Sequence, residues 1–120
     1  MSRVLVVDDS QFVRMRTAKL LREHGHEVLE AGNGREAVEL YGRERPDLVL
    51  LDITMPEMDG LTALREILAA DAGARVVMCT ALAQKATVLE AIKAGAKDFL
   101  VKPFEPERVL QSVERWGSPR

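Results

Sequence analysis

The sequence predicts an α/β fold in which a parallel sheet is covered by helices on both faces, and three observations carry that prediction. Five short apolar runs alternate with stretches of helical apolar spacing, and the connections between them are short. One of these runs, Leu48 to Leu51, is unbroken, as a strand buried on both faces requires. A chain of 120 residues with 47% hydrophobic content suffices for one domain with a real core and is too short for two ordinary ones. We therefore expect a single domain over residues 1–120, with 117–120 (Gly-Ser-Pro-Arg) as a fraying tail or the stub of a linker.

Val4 to Val7 is a β-branched run ending in Asp8-Asp9, and Ser10 is placed to cap the helix that follows. Val13, Leu20 and Leu21, with Thr17 between, recur at helical spacing, and Gly25 is the natural stop. Glu27 to Glu30 is a weak second strand. Asn33-Gly34 begins a helix with Ala37, Val38 and Tyr41 inward, ended before Pro46. Leu48 to Leu51 then ends on Asp52, and Met55-Pro56 with Asp59-Gly60 forms a loop into a third helix marked by Leu61, Leu64, Ile67 and Leu68. Arg75 to Cys79 is the fourth strand, running into Thr80-Ala81. Val88, Leu89 and Ile92 give the fourth helix its apolar side, and Gly95 suits a left-handed cap. The fifth strand, Asp98 to Val101, stops at Lys102-Pro103. Pro106 suits the first turn of the last helix, with Val109, Leu110, Val113 and Trp116 inward.

Composition narrows the function. A formal charge of −2 gives no electrostatic footprint for nucleic acid or an anionic membrane. The single cysteine, Cys79, excludes an internal disulfide, so nothing ties the fold to an oxidising compartment. No run approaches the roughly 18–20 apolar residues that span a bilayer, and no signal-peptide pattern precedes the first strand. A cytoplasmic protein is expected.

Four of the five strands end on residues able to do chemistry: Asp8-Asp9, Asp52, Thr80 and Lys102. A parallel arrangement delivers all of them to one edge, where ligands bind in doubly wound sheets. Three carboxylates gathered there would repel by roughly 4 kcal/mol per pair at about 4 Å with an effective dielectric near 20, so they need a cation or proton uptake. Carboxylate and carbonyl oxygens suit Mg²⁺ or Mn²⁺, and no Cys/His set exists for zinc. Lys102 adds a fixed positive charge. Metal, ammonium and hydroxyl around one carboxylate make a site for phosphoryl transfer. Asp52 is the best nucleophile, because it ends the most buried strand and an ionised carboxylate attacks without prior deprotonation.

Val6-Val7-Asp8-Asp9-Ser10, the run Asp52 to Gly60 (DITMPEMDG), Thr80-Ala81, Ala94-Gly95-Ala96 and Lys102-Pro103-Phe104 together resemble response-regulator receiver domains. The resemblance covers essentially the whole chain, and it is nearest to stand-alone receivers of the CheY type from bacterial chemotaxis. It implies a flavodoxin-like (βα)5 fold with strand order 2-1-3-4-5 and Mg²⁺-dependent phosphoryl transfer from a histidine kinase's phosphohistidine onto Asp52. It also assigns the metal to Asp9, Asp52 and the backbone carbonyl of Thr54, with Asp8 acting mainly through water, and implies a cis Lys102-Pro103 bond. Such a receiver phosphorylates and dephosphorylates itself without turning over an external substrate.

In receivers the residue at Thr80 moves toward the phosphoryl group, and an aromatic three residues before the lysine, here Phe99, turns inward. Phe99 can make the packing change but lacks a tyrosine's hydroxyl. Its plainer role is edge-strand core. The surface that changes would run over Gln84 to Lys93, Lys97 to Val101 and Glu105 to Trp116, and it would bind a downstream protein. Thr54 and Leu82 flank the path of the hydrolytic water in such sites. Leu82 cannot orient water, which predicts a long-lived phosphoaspartate; as an exposed leucine it could equally serve a partner contact.

His24 and His26 bracket Gly25 far from the acidic edge and fit helix capping or solvation. Cys79 fits a small core residue, and the methionines show no soft-metal pattern. Arg14, Arg16, Lys19 and Arg22 form a solvated helix face that, by resemblance, also suits kinase docking. Competing readings are the isolated receiver half of a DNA-binding transcription factor, a flavodoxin-like FMN carrier and a haloacid-dehalogenase-like phosphatase. The FMN reading lacks a Gly/Ser/Thr-rich loop after the first strand, and the phosphatase reading needs an acid where Thr54 stands. A monomer or a phosphorylation-dependent dimer is compatible with the sequence.

Overall fold

The apolar runs form five parallel strands: β1 Arg3–Val7, β2 Glu27–Ala31, β3 Leu48–Asp52, β4 Val76–Thr80 and β5 Asp98–Val101. The computed structural model describes residues 2–53, 55, 58–80 and 85–118. Between the strands lie α1 Gln11–Glu23, α2 Gly34–Glu44, α3 Gly60–Ala70, α4 Lys85–Ala94 and, after β5, α5 Pro106–Trp116. The sheet order is β2-β1-β3-β4-β5, the flavodoxin-like arrangement expected.

Alternation along the strands divides the core in two. Leu5, Val7, Val49, Leu51, Val76 and Met78 pack against Ala37 and Tyr41 of α2, Leu64 and Ile67 of α3, and Val88 and Ala91 of α4. Val4, Val6, Leu48, Leu50, Val77, Cys79 and Leu100 pack against Ala18 and Leu21 of α1 and Val109 and Val113 of α5. Both faces of β3 and β4 are buried throughout, whereas edge strand β5 buries Leu100 alone.

The helix starts follow their capping residues. Ser10 Oγ accepts from Val13 N, Asn33 Oδ1 from Glu36 N at 2.8 Å, and Asp59 Oδ1 from Thr62 N at 2.8 Å. Pro106 opens α5, where Glu105 makes no side-chain cap. Gly25 and Gly95 follow α1 and α4 with φ of +86° and +122°, conformations that side chains rarely tolerate. Arg45 ends α2 in the left-handed region at φ +47°. There its guanidinium lies over Tyr41 and pairs with Asp71 at 3.1 Å, contacts that offset the strain.

Helix α4 corrects the expected apolar side. Val88 and Ala91 are buried, three residues apart, while Leu89 and Ile92 are 60% and 40% exposed. Small Ala91 sets the inward stripe, because it lets α4 lie close to the sheet and turns the two larger side chains outward. Phe99 is 41% exposed and so is not edge-strand core.

Candidate functional site

Strand register assembles the site. Val7, the last residue of β1, stands opposite Leu51 and Ala31, so the chain one step on places Asp8 beside Asp52. Asp52 lies opposite Cys79 and Thr80 opposite Val101, and Lys102 N donates to the Thr80 carbonyl at 2.8 Å. The side chains of Asp8, Asp9 and Asp52 then each offer an oxygen within 4.8 Å of the others. Asp8 and Asp52 are buried, at 3% and 4% exposure, and Asp9 is exposed. Lys102 Nζ lies 2.9 Å from Asp8 Oδ2 and 3.2 Å from Asp52 Oδ2. The Lys102–Pro103 peptide bond is cis.

Burial pushes the Asp52 carboxyl up to about 6; Lys102 counters this, while the charges of Asp8 and Asp9 add to it. Burial also works against the Lys102 ammonium. Its hydrogen bond with Asp8 and the charges of Asp52 and Asp8 outweigh that, so its pKa is raised. The partners thus move in ways that reflect one imbalance: a single ammonium faces three carboxylates. The excess negative charge, presented entirely on oxygen and open to solvent through Asp9, fits a hard divalent cation. Cys79 is fully enclosed, and burial, followed by the charge of Asp52, holds its thiol well above the usual range, so it is neither a ligand nor a nucleophile here.

Backbone contacts fix this edge. Asp8 N donates to the Ala31 carbonyl at 3.2 Å, and Ser10 N donates to Asp8 Oδ1 at 2.9 Å. Gly60 presses the start of α3 onto the end of β3. Its N–H donates to the Ile53 carbonyl at 2.7 Å, and a Cβ there would fall 2.1 Å from the Asp52 carbonyl oxygen. Thr80 is buried at the same edge, at 2% exposure.

The structure therefore brings together Asp8, Asp9, Asp52, Thr80 and Lys102. Thr54, Ala81 and Leu82, together with Pro56, Glu57, Ala83 and Gln84, lie outside the described residues. His24 caps α1, with Nδ1 3.0 Å from the Leu20 carbonyl, and His26 Nδ1 accepts from Ser2 N at 3.1 Å; both are remote from the carboxylates, as expected. Arg16, Lys19 and Arg22 are exposed. Arg14 departs from that face: its Nη1 donates to the Asp8 main-chain carbonyl at 2.8 Å. Sequence reasoning missed this contact. The available signal was a basic residue one turn beyond the Ser10 cap, where the helix still overlies the end of β1.

The chain matches the family described as response regulator receiver domain over residues 4–114. It is 54% identical over 114 residues to the chemotaxis protein CheY of Bacillus subtilis, covering 94% of this chain and 95% of that protein. Among solved structures, the receiver domain of NtrX from Brucella abortus superposes with a TM-score of 0.89 at 36% identity, covering 93% of this chain and 95% of that one. A chain of the CheX–CheY–BeF3–Mg²⁺ complex from Borrelia burgdorferi superposes with a TM-score of 0.89 at 40% identity, covering 94% and 87%.

Proposed function

Because this chain belongs to the response regulator receiver domain family, we propose that it accepts a phosphoryl group on Asp52 from the phosphohistidine of a histidine kinase and changes partner binding in response. The observation that carries the reading is the convergence of Asp8, Asp9, Asp52 and Lys102 on one sheet edge, with the buried Asp52 carboxylate paired to Lys102.

An Asp52 carboxylate oxygen attacks phosphorus, the P–N bond of the donor breaks, and its electron pair returns to the imidazole, which takes up a proton from solvent. Lys102 exchanges part of its pairing with Asp52 for a phosphoryl oxygen, and the Thr80 hydroxyl donates to another. Asp8, Asp9, Asp52 and the Thr54 carbonyl would hold Mg²⁺, or Mn²⁺ in its place, which when bound supplies positive charge against the phosphoryl oxygens. The aspartyl phosphate later hydrolyses at the same site, slowly because apolar Leu82 cannot orient water.

The output surface is α4, β5 and α5. Leu89, Ile92 and Phe99 are large apolar side chains left exposed on α4 and β5, and a downstream protein would cover them. A chemotactic role is supported by the likeness to CheY of Bacillus subtilis over nearly the full length of both proteins. The exposed Arg16, Lys19 and Arg22 suit docking of the kinase. No helix among the described residues is long and apolar enough to cross a membrane, which suits a cytoplasmic regulator. The experiment is transfer of labelled phosphate from an autophosphorylated histidine kinase. Label should appear on the wild-type chain and be absent from Asp52→Asn.

A second reading, a receiver belonging to a larger transcriptional regulator, draws support from the likeness to the NtrX receiver domain. A DNA-binding segment encoded in frame after Arg120 would favour it.

A further inference from the structure

The Asp8 carbonyl lies one step beyond the last pairs of β1, Val7 with Ala31 and Leu51. Arg14, in the first turns of α1, supplies a donor to it at 2.8 Å. The same guanidinium is itself held: Arg14 Nε lies 3.2 Å from Glu30 Oε1, with the two side chains only 18% and 29% exposed. Glu30 sits opposite Val6, two residues after buried Val28 and therefore on the sheet face that α1 covers. The opposite oxygen of Glu30 receives Arg22 Nη2 at 3.5 Å.

We propose that Arg14, anchored by Glu30, is a positioning residue for the carboxylate cluster. It fixes the peptide that joins Asp8 to Asp9, and so sets where Asp9 presents its side chain relative to Asp52. The peptide unit is planar, so pinning its oxygen leaves Asp9 little freedom of approach. Asp8 has its own side-chain ties, to Ser10 N and Lys102, whereas Asp9 is exposed. Arg14 thus restrains the peptide before the solvent-facing carboxylate, as the bond from Ser10 N to Asp8 Oδ1 restrains the peptide after it. The consequence is a higher affinity for the divalent cation, because the ligands need not be ordered on binding. This inference rests on the metal site proposed above.

The test is isothermal titration of the full chain with Mg²⁺, alongside urea unfolding in chelator. Arg14→Ala should weaken Mg²⁺ binding about tenfold, the low end for outer contacts of metal ligands. Arg14→Lys should recover most of the loss, since an ammonium can still donate to the Asp8 carbonyl. Glu30→Gln should weaken binding about threefold by loosening the anchor, less than the loss of an outer contact itself. Arg22→Ala removes the other partner of Glu30 without touching Asp8 and should leave affinity at the wild-type value. Wild-type affinity in both Arg14→Ala and Glu30→Gln would overturn the proposal, as would an equal loss in Arg22→Ala, which would reveal only a general effect on α1. Should Arg14→Ala not fold, Glu30→Gln decides alone: wild-type affinity in it would overturn the proposal. A wild-type chain that takes up no Mg²⁺ would instead overturn the metal site, and this inference with it.

Discussion

The Lys102 ammonium stands 3.2 Å from the Asp52 carboxylate, and yet Asp52 is pushed up to about 6, above the ordinary carboxylate range. Lys102 shares itself with Asp8 at the shorter distance of 2.9 Å, so it cannot offset burial and two neighbouring carboxylates at once. The site is strained electrostatically in the direction that cation binding relieves. That makes its cost measurable.

Asp52 should therefore destabilise the metal-free protein at neutral pH. Its folded pKa, about 6, lies above the unfolded value of 3.8, so its stabilising effect is full below pH 3.8 and is lost as pH rises through 6. Asp52→Asn should be more stable than wild type at pH 7.5 in chelator. A tenfold change in proton affinity is worth roughly 1.4 kcal/mol, which sets a ceiling of about 3 kcal/mol, and solvent reaching the site past Asp9 lowers it. The advantage should shrink toward pH 4. Urea titrations at the two pH values check it.

Mg²⁺ should stabilise the wild type and not Asp52→Asn. At a free concentration one hundred times the dissociation constant the gain is about 2.7 kcal/mol, and chelator removes it. Thermal melts with and without the ion read this directly.

Gly60→Ala should distort the site as well as the fold. A Cβ placed 2.1 Å from the Asp52 carbonyl oxygen forces α3 away from the end of β3. A loss of about 1–3 kcal/mol is expected, with weaker Mg²⁺ binding in whatever folds.

The distribution of what the sequence could reveal follows from the physics of each feature. β3 was legible because a strand buried on both faces is apolar at every position, and the acid that ends it has to lie at the sheet edge. Asp8, Thr80 and Lys102 were legible for the same reason, since parallel strands bring their ends to one side. Capping by Ser10 was local chemistry and held, and Asn33 and Asp59, legible only as marking helix starts, prove to cap them. Leu89 and Ile92 were misplaced because helical spacing alone cannot distinguish an apolar face that meets the sheet from one left for a partner; Ala91, too small to stand out in a hydrophobic pattern, decides it. The Arg14–Asp8 contact escaped because a side chain reaching a main-chain carbonyl leaves no pair of complementary side chains, only a basic residue one turn beyond the Ser10 cap.

The exposed apolar residues of α4 lead to a further prediction. Leu89→Glu should leave stability within about 0.5 kcal/mol of wild type, as surface changes do. If α4 carries the output, the same variant should weaken binding of the phosphorylated chain to its downstream protein.

Tyr41 offers a control remote from the site. Its hydroxyl donates to Asp71 Oδ2 at 2.7 Å from a side chain that is 1% exposed. Tyr41→Phe should cost about 1.5 kcal/mol in urea unfolding while leaving Mg²⁺ affinity unchanged.

The most direct measurement is the intact mass of the chain after incubation with Mg²⁺ and acetyl phosphate, set against Asp52→Asn and against a chelator control. The account predicts a gain of one phosphoryl group in the wild type and none in either control. A folded wild-type chain that binds Mg²⁺ but gains no mass, or an Asp52→Asn chain that gains as much as the wild type, would contradict the assignment of Asp52 as the phosphoryl acceptor.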